Sequence, residues 1–180
     1  RSRFVDDWIL DVIINPWLGS QLSISDAITT LDQAFDIYGV SPSFLSDWRW
    51  YKNIHGDNAD YNQRAINAYH ANLHNFIDYR FIKDARPEHI NQKIQVICDR
   101  LFEFEKRFRN EQDIKELVEV QSMIARLSQL VHEFSPETAL SIDDYSSALD
   151  AYFNSGSLGS LGRFAPLFGR GQQYLSFIRR

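Results

Sequence analysis

The sequence predicts a mainly α-helical chain: an antiparallel helical bundle with a small two-stranded β element formed by its N- and C-terminal parts. Three observations carry this reading. Four stretches repeat apolar residues at spacings of three and four, the signature of one helical face. The connectors between those stretches are short, which makes neighbouring helices run antiparallel. Two strand-like segments lie at opposite ends of the chain, and each needs a partner for its backbone edge. The expected division is residues 1–57 for N-terminal helices and a strand, 58–153 for a four-helix bundle, and 154–180 for a glycine-rich loop and a C-terminal strand.

Each element follows from local chemistry. Phe4, Trp8 and Val12 share one face of a first helix, which Asn15-Pro16 stops. Ser25 is placed to cap a short helix from Asp26 to Ala34, with Ile28, Leu31 and Phe35 facing inward. Phe35 to Val40 alternates like a half-buried strand and ends at Ser41-Pro42. Asp57 or Asn58 is expected to cap the helix that carries the first seam, Ile66, Tyr69, Leu73 and Phe76. The second seam is Ile90, Ile94, Ile97, Leu101, Phe104 and Phe108, opened by Pro87. A tight polar turn is expected from Arg109 to Asp113. The third seam is Leu117, Val120, Ile124, Leu127, Val131 and Phe134, broken at Ser135-Pro136. Ser141 with Asp144 reads as a capping box for the fourth, Ile142, Tyr145, Leu149 and Tyr152. Residues 154–171 hold five of the eight glycines and read as a flexible loop. Tyr174, Phe177 and Ile178 then form the second strand.

Composition narrows the function classes. The chain has 180 residues, 44% hydrophobic and 24% charged, as a globular domain has. No apolar run approaches the roughly 18 residues of a membrane span, so no membrane partner is expected. The net charge is −5, and residues 1–60 carry four Lys/Arg against nine Asp/Glu. The tail is basic, with Arg163, Arg170, Arg179 and Arg180. Four arginines make no nucleic-acid footprint, and the expected use is a return of the tail to the acidic N-terminal part. The single cysteine, Cys98, reads as a small buried thiol, and the setting as cytoplasmic. The chain opens on Arg1 with no signal-peptide core after it, and is expected to be a piece of something longer.

Few constellations could carry chemistry. His70, His74 and Asp78 lie four apart in a single helical row, which spreads the third member too far for a metal. The histidines read as solvated boundary residues, and the Glu-x-x-His pairs of a di-metal bundle are absent. Gly156, Gly159 and Gly162 do not match a phosphate-binding pattern. The densest candidate is Trp48, Arg49, Trp50, Tyr51 and Lys52. A plain aromatic layer closing the bundle against the sheet fits it, with Arg49 paired to Asp47. A substrate platform fits it too, with aromatic faces for stacking, Arg49 or Lys52 for an anion, and Arg163 or Arg170 approaching from the glycine loop. The platform defines the candidate site.

The run LSISDAITTLDQAFDIYGVSP resembles the late part of a class I S-adenosylmethionine-dependent methyltransferase, where a short helix leads into the sixth strand. SPSFLSDWRWYK is similar to the segment after that strand in some bacterial members, and GRGQQYLSFIRR resembles the antiparallel seventh strand that often ends the family's chains. The helical segment between would be an insertion. The resemblance covers about 50 residues in two pieces. The family's glycine-rich loop after strand one and the acidic residue ending strand two do not occur in this chain. The resemblance therefore implies a substrate-facing C-terminal part whose cofactor, S-adenosylmethionine, is bound by a missing N-terminal catalytic half. This chain alone is expected to bind no cofactor and no metal. The substrate is not identified. The alternative, from a different class, is a non-enzymatic helical interaction module.

Overall fold

The computed structural model describes residues 22–41, 43–44, 60–111, 117–167 and 173–180. The protein is mainly helical, with one small antiparallel sheet of two strands contributed by its terminal parts. The chain forms two compact units: residues 1–72 with 171–180, and residues 73–170. The expected helix over 4–14, the turn after it and the cap at Asp57 or Asn58 lie outside the described residues.

In the first unit, α1 spans Ile24–Leu31 and buries Ile24, Ala27 and Ile28, spaced three and one apart on a single face. Its cap is Ser23, not Ser25. Ser23 has an extended backbone and its Oγ accepts a hydrogen bond from the Asp26 N–H at 3.0 Å. Ser25 is already inside the first turn, where its carbonyl accepts from Thr29. The helix ends early, because Asp32 to Ala34 form a turn that feeds β1, Phe35–Ser41. Leu31 is therefore exposed and Phe35 half-buried, rather than both facing inward.

β1 pairs antiparallel with β2, Tyr174–Arg179, as the sequence predicts. The register sets Phe35 opposite Arg179, Ile37 opposite Phe177 and Val40 opposite Leu175, with a bulge between Ile37 and Gly39. The bulge shifts the alternation by one residue, so Ile37 and Val40 share a face despite their odd spacing. Tyr38, Tyr174 and Ile178 are exposed. Of the basic tail, Arg180 returns to the acidic N-terminal part as expected, whereas Arg163 pairs with Asp144 instead. Arg180 bridges Asp32 at 3.1 Å and Asp36 at 2.9 Å, and its N–H donates to the Ala34 carbonyl.

α2 spans Tyr61–Asn72, and the Asp60 carboxylate accepts from the Gln63 N–H at its start. Its buried row is Asn62, Ala65 and Tyr69. The first seam thus does not run as predicted: the α-helix ends at Asn72, and Leu73–Phe76 form a 3-10 turn in which Leu73 and Phe76 are half-buried.

The second unit holds α3 (Glu88–Glu111), α4 (Leu117–His132) and α5 (Pro136–Ser155). Pro87 stands just before α3, as predicted, and its carbonyl accepts from Ile90. α3 continues to Glu111, through the polar turn expected at Arg109. The predicted seams build the core: Ile94, Ile97 and Phe104 from α3, Val120, Ile124, Leu127 and Val131 from α4, and Ile142 from α5; Ala139, outside the predicted fourth seam, joins them, while Tyr152 of that seam is exposed. Leu101 packs on that core half-buried rather than at its centre. α4 and α5 are joined by three residues and run antiparallel. Ser135-Pro136 ends one helix and starts the next, with Pro136 in the first turn where its missing N–H costs nothing. Ser141 and Asp144 therefore lie inside α5 and form no capping box.

The glycine segment is packed rather than loose over its described part. Gly156 ends α5 in the left-handed conformation, φ 72°, and its N–H bonds to the Tyr152 carbonyl. Gly159 lies against α5, its N–H 3.1 Å from the Ala148 carbonyl. A Cβ there would stand 2.9 Å from the Ala151 Cβ. A second 3-10 turn, Gly162–Leu167, follows, with the Phe164 ring stacked on Tyr145 at 4.6 Å.

Candidate functional site

The predicted platform falls outside the described residues at Trp48, Arg49, Trp50, Tyr51 and Lys52, and so does Arg170. Just before that stretch, the Phe44 ring lies 5.9 Å from the ring of Tyr69. Arg163 is described, and Asp144 engages it. The Arg163 N–H, Nε and Nη2 donate to the Asp144 carboxylate at 2.7, 2.8 and 2.7 Å. Those bonds from Arg163 hold the Asp144 carboxyl down to about 2. Gly162 makes this possible: a Cβ there would lie 2.5 Å from the Asp144 Oδ2.

The row of His70, His74 and Asp78 does not form, because the α-helix stops between the two histidines. His70 sits at the end of α2, its ring 5.3 Å from Tyr69. His74 lies in the 3-10 turn and is buried, 3% exposed, where a solvated residue was expected. Asp78 lies in the following turn and is 2% exposed.

These two buried polar residues organise one end of the second unit. The Asp78 carboxylate accepts from the Arg80 N–H at 3.0 Å, from Arg80 Nε at 2.9 Å and from Thr138 Oγ1 at 3.1 Å. Burial alone would push this carboxyl up. The hydrogen bonds and charge of Arg80 outweigh it and hold the group below its ordinary range. Arg80 extends the network to Ser141 Oγ at 2.9 Å and to the Arg163 carbonyl at 3.2 Å. It thereby ties the turn, α5 and the second 3-10 segment together. Such a network, with its charges paired, specifies geometry and presents no group for acid–base chemistry.

His74 places its ring between two polar partners. Nδ1 is 3.2 Å from Asn91 Oδ1 on α3, and Nε2 is 3.1 Å from the Asp84 carbonyl. Burial and the nearby Arg86 charge keep its pKa below the ordinary value despite those bonds. Among the described residues no group of three or more His, Cys, Asp or Glu side chains converges to hold a metal. Cys98 is exposed, against the expected burial, because it sits beside the seam residues Ile97 and Leu101 on the outer side of α3. No helix among the described residues is long and apolar enough to cross a membrane.

Sequence reasoning missed Asn62 and Arg80 and gave Asp144 a different role, as half of a capping box. None lies on an apolar seam, and each has a partner distant in the chain, although Arg80 also pairs with its near neighbour Asp78. No family model, curated protein or solved structure matches this chain.

Proposed function

We propose that the chain is the C-terminal, substrate-facing part of an S-adenosylmethionine-dependent methyltransferase. The observation that carries this is the antiparallel pairing of β1 with β2 across a helical unit inserted between them. Asn62 adds direction. Its Oδ1 accepts from the Ile37 N–H at 2.8 Å and its Nδ2 donates to the Phe35 carbonyl at 2.9 Å. The outer edge of β1 is thereby occupied at Phe35 and Ile37, and among the described residues no strand lies beyond β2. Growth of the sheet on the β2 side, where a preceding catalytic half would join, fits this reading. Among the described residues no strand runs into a glycine-rich turn and helix. The cofactor is proposed to be held by the preceding half, not by residues of this chain. Trp48, Arg49, Trp50, Tyr51, Lys52 and Arg170 keep their proposed role toward the substrate, and Arg163 must leave Asp144 to share it. The setting proposed is cytoplasmic.

Calorimetry tests the reading on two proteins, the 180-residue chain and the same chain preceded by its natural upstream sequence. The longer protein should bind S-adenosylmethionine with a defined stoichiometry, and the shorter should not. In the longer protein, Arg49→Ala should lower methyl transfer without a large fall in melting temperature. A longer protein that folds and binds no S-adenosylmethionine overturns the reading. It would favour the helical interaction module.

A further inference from the structure

His74 sits where four segments of the second unit meet. Its own 3-10 turn carries Asn75, whose side chain donates to the Lys83 carbonyl and accepts from the Lys83 N–H, both at 2.9 Å. His74 Nε2 takes the next carbonyl, that of Asp84. The two residues together hold the middle of the 77–87 loop. α3 contributes Asn91, and the turn between α4 and α5 contributes Phe134, whose ring meets the imidazole edge-on at 5.2 Å. The same Phe134 ring carries the Arg86 guanidinium 4.4 Å from its centroid. Arg86 Nε is buried with no hydrogen-bond partner among the described residues, so the ring, rather than that nitrogen, anchors the loop's arginine.

Both ring nitrogens of His74 face oxygen atoms. The imidazolium satisfies both by donating twice. The neutral ring donates only once, and Asn91 must turn its amide over to donate in return. As placed, the two hydrogen bonds favour the proton. What opposes it is burial and charge. Asn91 and Phe134 are uncharged, Lys83 and Asp84 meet the ring through their backbones, and Arg86 is positive. A proton on His74 is thus set against the Arg86 cation, which shares its aromatic neighbour.

We propose that His74 is a proton-operated clasp of the second unit: protonation sets its ring against Arg86 across Phe134 and loosens the 77–87 loop. The neutral ring keeps Arg86 seated and the loop closed. Acidification expels Arg86 from the ring and frees the loop from its anchor, while the Asp78–Arg80 pair stays ionised and holds the loop's first turn.

Imidazole nitrogen NMR and backbone hydrogen exchange on the full chain, between pH 8 and 5, test this. His74 should titrate below the ordinary histidine value, and Arg86→Gln should move its midpoint up. Exchange protection in 77–87, corrected for intrinsic rates, should fall by up to about tenfold per pH unit as one proton is taken up on opening. His74→Gln should remove that dependence. If that variant fails to fold, Asn91→Asp serves instead, because the added carboxylate should raise the His74 midpoint and weaken the acid loosening. Protection that is flat across the range, or a His74 midpoint at or above the ordinary value, would overturn the clasp. So would an unchanged midpoint in Arg86→Gln.

Discussion

Asn62 takes the place of a strand partner on the outer edge of β1, and it also donates to Asp32 at 2.6 Å. Removing it leaves a buried N–H and a carbonyl of the strand unpaired. Asn62→Ala should cost about 2–4 kcal/mol, read from denaturant unfolding followed by the sheet's signal. Asp144 gives a second residue-scale expectation. Its folded pKa, about 2, lies below the ordinary 3.8, so the protein binds its proton less readily folded than unfolded. The stabilisation is then present above about 3.8 and is lost as pH falls toward 2. Arg163→Ala should return the Asp144 midpoint to the ordinary carboxylate range, which carbon NMR titration reads directly. Neither partnership was legible in the sequence. Asp144 and Arg163 are 19 residues apart, and only the packing of the glycine segment on α5 brings them together.

At the scale of elements, the helices of the second unit were legible because their cores repeat at three and four residues. Leu127→Ala should cost about 2–5 kcal/mol, as a buried leucine lost from a seam does. A thermal melt showing less than about 1 kcal/mol would place Leu127 outside the core. The glycine segment is where periodicity misleads, since glycine has no side chain to mark a contact. Gly159→Ala should destabilise by about 1–3 kcal/mol, because its Cβ would be pressed against Ala151 and the Ala148 backbone. Gly156→Ala meets open space and should cost only about 1–2 kcal/mol of backbone strain at positive φ. Comparing the two melts separates crowding from strain. The misplaced caps share one cause. Ser23, Ser25, Ser135 and Ser141 are chemically equivalent candidates, and the choice depends on where the backbone turns out of the helix.

At the scale of the whole molecule, the first unit is discontinuous in sequence and the second is not. Residues 73–170 carry their own core and their own buried ion-pair network. Excised, they should melt cooperatively with a helical circular-dichroism spectrum. Deleting 173–180 from the full chain should instead remove β2 and the Arg180 bridges, and with them the fold of the first unit. A protein lacking those residues that kept its full stability would mean the strand pair contributes nothing. The reason for the asymmetry is the entropy of closing a long loop: β1 and β2 meet only when the intervening chain is already compact.

The sequence by itself determined the helical class, most of the seams of the second unit, the pairing of the terminal strands and the return of the last arginine to the acidic N-terminal part. Each rests on a short-range period or on a shortage of alternative partners, which a linear chain displays. Tertiary structure alone decided that the first seam stops at Asn72, that His74 and Asp78 are buried rather than solvated, and that the glycines pack. These outcomes depend on polar groups finding partners across tens of residues in low dielectric, where one buried hydrogen bond outweighs any local preference.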